Sequence, residues 1–68
     1  MNPANPRPGD TLTDDTGTRL TVLSVTRNAV RCRESYADGG EELVSMDRRA
    51  FRLRCEDVRA RLALAGVG

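Results

Sequence analysis

Residues that favour strands are gathered into short stretches separated by polar, glycine-bearing turns. From Arg19 to Thr26, Leu20, Thr21, Val22, Leu23, Val25 and Thr26 all favour a strand, with no stripe of helical period. Apolar side chains fall on both faces, Leu20 and Val22 on one and Leu23 and Val25 on the other, which predicts a strand covered on both sides or bent by a bulge. Arg27-Asn28-Ala29 supplies a tight turn, with Asn28 suited to a positive φ. The return strand, Val30 to Tyr36, alternates: Val30, Cys32 and Tyr36 point inward, Arg31, Arg33 and Ser35 outward. Asp38-Gly39-Gly40 marks a second hairpin, and Glu41 to Ser45 follows as a strand with Leu43 as its core residue. Asp47 to Ala50 reads as one tight turn. Phe51 to Cys55 then alternates as a last strand, with Phe51, Leu53 and Cys55 inside and Arg52 and Arg54 outside.

The ends read differently. Residues 1–8 hold three prolines and little to bury, which suits a flexible, extended arm; the alternative is an arm that docks on a neighbouring subunit. Thr11 to Asp14 forms a short first strand that closes in the polar turn Asp15 to Thr18. Glu56 and Asp57 open a short helix over residues 56–66, with Val58, Leu62 and Ala65 at helical spacing and Gly66 as its cap. Five short strands within residues 9–55 predict a mainly β fold: a small SH3-like antiparallel barrel followed by that helix, since a flat sheet of this size leaves one face of its central strand uncovered. A 68-residue chain buries only about 60% of its unfolded surface, so a homodimer is expected to help stabilise it.

The run Gly9-Asp10-Thr11-Leu12, Gly17, Leu20-Thr21-Val22, Val25, Val30-Arg31-Cys32, Gly39-Gly40 and Phe51-Arg52-Leu53 resembles the small bacterial YodC-type proteins. That pattern runs GD, a glycine turn, TV, V-x-C and a late aromatic. The resemblance implies an SH3-like barrel. It departs at Arg33-Glu34-Ser35, where that family has an aromatic step, so no aromatic platform is implied there. A second, local resemblance joins Thr21 to Val25, Asn28, Val30 and Arg31 to the central hairpin of the carbon storage regulator family of RNA-binding dimers. That family's apolar-basic first strand is replaced here by prolines. The Gly9-Asp10 opening is also similar to the translation-associated KOW type of barrel, an analogy of fold alone.

Charge narrows the function. All 11 basic residues are arginines, against 10 acids, for a net charge of +1, which excludes the strongly basic profile of a dedicated non-specific nucleic-acid binder but leaves room for a local patch. Strand alternation predicts that patch: Arg31 and Arg33 on one strand, Arg52 and Arg54 on another, and Arg48 and Arg49 in the turn between, with Tyr36 as an aromatic anchor. Planar, permanently charged guanidiniums suit the phosphates of RNA or DNA, which makes a regulatory or accessory nucleic-acid contact the first expectation and an acidic protein surface the alternative. Solvated arginines that merely pair with Glu34, Glu41, Glu42 and Asp47 are the bland reading.

Catalysis fares poorly. There is no histidine or lysine to act as base, and the adjacent acids Asp14-Asp15 and Glu41-Glu42 point to opposite sides of a strand. Gly17, Gly39 and Gly40 follow no phosphate-loop spacing and read as turn formers. Cys32 and Cys55 lack the partners for a zinc site, so no cofactor or metal is expected and both read as core thiols in a reducing cytoplasm. With neither a bilayer-length apolar run nor a secretory leader in the sequence, the expectation is a cytoplasmic protein with no membrane partner.

Overall fold

The computed structural model describes residues 1–65. They form an antiparallel meander of four strands, β1 (Thr11–Thr13), β2 (Arg19–Val25), β3 (Ala29–Ser35) and β4 (Glu41–Asp47), followed by one helix, α1 (Arg48–Ala65). The strands lie in chain order, β1-β2-β3-β4, and β1 does not pair with β4, so the sheet is open and not a closed barrel. No helix among the described residues is long and apolar enough to cross a membrane.

The expected fifth strand is helix. Phe51 and Cys55 share a face in either conformation, because four residues are two strand periods and close to one helical turn. Position 53 decides between them: Leu53 is 51% exposed, while Phe51, Cys55 and Val58 form one buried stripe at helical spacing. Arg52 and Arg54 accordingly sit on different sides of a helix instead of together on a strand. The helix also begins eight residues before the expected Glu56, and the physical reason is a cap. Asp47 Oδ1 accepts the Ala50 N–H at 2.6 Å, satisfying a donor of the first turn. From Arg48 to Ala65 there is neither glycine nor proline, and Val58 alone is β-branched. The expected cap at Gly66 lies outside the described residues.

One face of the sheet is covered. Leu20, Val22, Val30 and Cys32 meet Phe51 and Cys55 of α1, with Leu12, Val25, Val44, Met46 and Met1 packed round the edge. Of the two readings of β2, covered on both sides or bent by a bulge, the structure has the bulge: register shifts between Val22 and Ser24, so Val25 returns to the core and Leu23 lies on the outer face. Leu43 is not a core residue. Pairing of Cys32 with Val44 puts Val44 and Met46 on the covered side and leaves Leu43 66% exposed on the other. The β2–β3 turn closes without a positive φ at Asn28; Gly39, at φ 94°, provides the left-handed residue of the β3–β4 hairpin.

The start of the chain is placed against the domain. Pro6 is buried, the Gly9 N–H donates to the Val22 carbonyl at 2.8 Å, and the Val22 N–H donates to the Asp10 carbonyl at 2.8 Å. At the chain start, Met1 Sδ lies 3.9 Å from Cys55 Sγ, and the Met1 carbonyl accepts from Arg59 Nη2 at 2.7 Å. Residues 1–8 thus strap this chain's own helix.

Helix and strand make opposite demands on neighbouring positions. Phe51→Ala empties a fully buried site and should cost about 3–5 kcal/mol in chemical denaturation, whereas Leu53→Arg should cost less than about 0.5 kcal/mol. Equal costs at the two positions would fit a strand, and the helix assignment would fall.

Candidate functional site

The seven residues expected to make one partner-binding face are divided by the fold into three groups. Arg31 and Arg33 stand exposed on the outer face of β3, on the side of the sheet away from α1. Arg33 flanks Glu41, Glu42 and Leu43, and Arg31 borders a shallow depression with Leu23, Leu43 and Ser45.

Tyr36 and Arg54 are engaged within the chain. Glu34 follows Val30 and Cys32 on the covered side of β3 and is only 7% exposed. Its Oε1 takes Arg54 Nη2 at 2.6 Å across from α1, and its Oε2 lies 2.7 Å from the Tyr36 hydroxyl. The same hydroxyl is 2.9 Å from Glu42 Oε2, so one phenolic proton serves two carboxylates. Alternation already places Glu34 inward, and an inward acid requires partners; that was the available signal for this network. Tyr36 itself is half-buried at the hairpin instead of facing the core.

The third group lies at the start of α1. Arg48 turns back to the β2–β3 turn, its Nε and Nη2 donating to the Thr26 carbonyl at 3.2 and 2.9 Å and Nε also to the Arg27 carbonyl at 3.1 Å. This locks the guanidinium with its Nη1 side unused. Arg49 and Arg52 make no ion pair; among the described residues the ion pairs are Arg54–Glu34 and Arg61–Asp57. Together Arg48, Arg49 and Arg52 line an open groove of about 300 Å³ whose opposite wall is Pro3 and Ala4. The strap residues were no part of the expected site, and nothing in their sequence linked them to residue 48.

Helix electrostatics sharpen this group. The aligned peptide dipoles put roughly half a positive charge at a helix start, where acids are favoured and cations disfavoured by about 0.3–1 kcal/mol each. The first turn of α1 holds no acid and two arginines, with only the capping Asp47 beside them. The start of α1 is thus a place where the guanidiniums and the helix dipole carry the same sign.

The thiols do not contribute reactivity. Burial pushes Cys32 up to about 11, with Cys55 and Glu34 adding to the rise, and burial likewise raises Cys55. Both are therefore neutral core groups near pH 7 and poor nucleophiles. No family model, curated protein or solved structure matches the chain.

Hydrogen bonds to Glu34 and then Glu42 favour the protonated Tyr36 phenol and hold its ionisation well above the ordinary value near 10. Because the folded state binds this proton more tightly than the unfolded one, the contribution to stability is full below about pH 10 and is lost as pH rises toward the folded-state value. Tyr36 is the only tyrosine and there is no tryptophan, so an ultraviolet absorbance titration reads it directly. The midpoint should lie above 10 in the folded protein and move down in Glu42→Gln; an ordinary midpoint would show that the shared hydroxyl is not present in solution.

Proposed function

We propose that this chain is a non-catalytic binding module that takes nucleic-acid phosphates on the Arg48, Arg49 and Arg52 face of α1. The observation that carries this reading is the conflict at the start of the helix: guanidiniums without counterions where the dipole already favours negative charge. A phosphate relieves the dipole and the mutual repulsion together, and the fork of a guanidinium matches two of its oxygens.

The same residues point to backbone recognition without base reading. Phe51 is fully buried and Tyr36 is not among the residues that line the groove, so no aromatic platform stands in it. Arg31 and Arg33 lie on the other side of the sheet, and Arg54 is matched by Glu34, so these three are left out of the phosphate face. Such a contact is weak, salt-dependent and tolerant of sequence, as suits an accessory or regulatory role.

Fluorescence anisotropy with labelled single-stranded RNA, single-stranded DNA and duplex DNA tests the reading. Binding should weaken with a log-log salt slope of about −2 to −3, from three phosphates neutralised. Arg49→Glu combined with Arg52→Glu should lower affinity at least about tenfold and at the same time raise thermal stability, because an acid near a helix start gains about 0.3–1 kcal/mol. Arg33→Glu should leave affinity for the oligonucleotides unchanged. Binding untouched by the double substitution would exclude the helix-end site, and binding of an acidic protein with no affinity for any oligonucleotide would move the partner to another class.

A further inference from the structure

The two edges of the sheet are unlike. At one, β1 is three residues long and is preceded by Pro6 and Pro8, devices that blunt an edge against pairing. At the other, β4 runs seven residues with no proline, no basic residue and no register shift against β3, and among the described residues no strand lies on its far side. Its amides have a definite direction. The Tyr36 N–H donates to the Gly40 carbonyl at 2.8 Å, which makes Glu34–Glu42, Cys32–Val44 and Val30–Met46 the hydrogen-bonded pairs of the ladder. The backbone groups of Glu41, Leu43 and Ser45 therefore point away from β3, toward the open side.

From this edge we infer that the chain forms a homodimer, with β4 pairing antiparallel to β4 of a second copy about a two-fold axis through Leu43. Of the two-fold registers that match outward amide to outward amide, three pair at least three such residues of each β4, and charge separates them. An axis at Val44 sets Glu41 opposite the partner copy's Asp47, and an axis at Ser45 sets the apolar Leu43 opposite Asp47. The axis at Leu43 instead places the two exposed leucines side by side and sets Glu41 opposite Ser45, so that no like charges meet.

That register also gives Arg31 a counterion. Arg31 pairs with Ser45 in β3–β4, so the outer face then presents Arg31, the small Ser45 and the other copy's Glu41 in one row. Two strand spacings separate the ends of this row by about 10 Å between Cα atoms, within the combined reach of an arginine and a glutamate. The symmetry makes the pair twice. Leu43, 66% exposed in the single chain, and the neighbouring Leu23 supply the apolar centre between the two charged rows.

Sedimentation equilibrium of the full chain tests the pairing. The wild-type protein should have twice the 7.5 kDa chain mass at about 100 μM, and the Leu43 and Ser45 amides should gain hydrogen-exchange protection as concentration rises. Leu43→Lys, at an exposed position, should yield a folded monomer. Glu41→Arg should weaken dimerisation at least about tenfold by facing Arg31 with a like charge, and adding Arg31→Glu should restore it. A wild-type chain monomeric at about 1 mM overturns the inference, as does a dimer indifferent to Leu43→Lys and to the charge exchange. An arginine-bearing extended peptide protecting these amides in such a monomer would assign the edge to that other strand. None of the substituted residues lines the helix-end groove, so failure here leaves the phosphate reading standing, and the reverse.

Discussion

The fold depends on seating one apolar stripe, Phe51, Cys55 and Val58, against one apolar sheet face, Leu20, Val22, Val30 and Cys32. An open four-stranded sheet of this size cannot bury its own residues, and no further strand among the described residues closes it. The helix takes that role. Because β4 ends at Asp47 and α1 begins at Arg48, the chain makes the change without a loop, and the Asp47 carboxylate that caps the helix also fixes where the strand must stop. The core is so thin that the chain start is drawn in as well: Met1 packs against it, and Pro6 is buried. Glu34 is the exception within this interior, and Arg54 and Tyr36 meet both of its oxygens.

Much of the sheet was legible in the sequence. The β2–β3 hairpin, the inward Val30 and Cys32, the outward Arg31 and Arg33 and the bulge in β2 all follow from alternation and turn chemistry. Alternation misled where it was short. Over Phe51 to Cys55, five residues support a period of two and a period of 3.6 almost equally, and only extension to Val58, with Asp47 recognised as a cap, separates them. Leu43 was misread because hydrophobicity was used without register: Val44 and Leu43 are both apolar, and the pairing with β3 decides which is covered. The split of the arginines follows from the first of these errors. Once residues 51–55 are helical, Arg52 and Arg54 part company and the single outer face becomes three separate groups.

Local rules broken without local compensation are often the mark of a working surface. Most of this chain obeys them: the Asp14 carboxylate ties the N–H groups of Thr16 and Thr18, Gly39 takes the positive φ, and the buried Glu34 is paired. The start of α1 does not. Its guanidiniums are the wrong sign for the dipole, and Arg49 and Arg52 are unmatched, although the chain carries 10 acids and needs only one more in the first turn to relieve them. Arg48 is held by the carbonyls of Thr26 and Arg27, which orders one wall of the groove in the free chain and lowers the entropic cost of binding there.

The two proposed surfaces reinforce each other through geometry. A two-fold axis through Leu43 stands perpendicular to the joined sheet, so it keeps the two covered faces, and with them the two helices, on the same side. The proposed phosphate sites at the two helix starts would then lie on one side of the dimer, each with the weak affinity that about three phosphate contacts allow. A single anion gains nothing from this. A polymer long enough to span both grooves binds the second as an intramolecular event, at an effective concentration fixed by their separation. On the two proposals together, a preference for long phosphate chains over short ones would arise from assembly, without any side chain that reads a base.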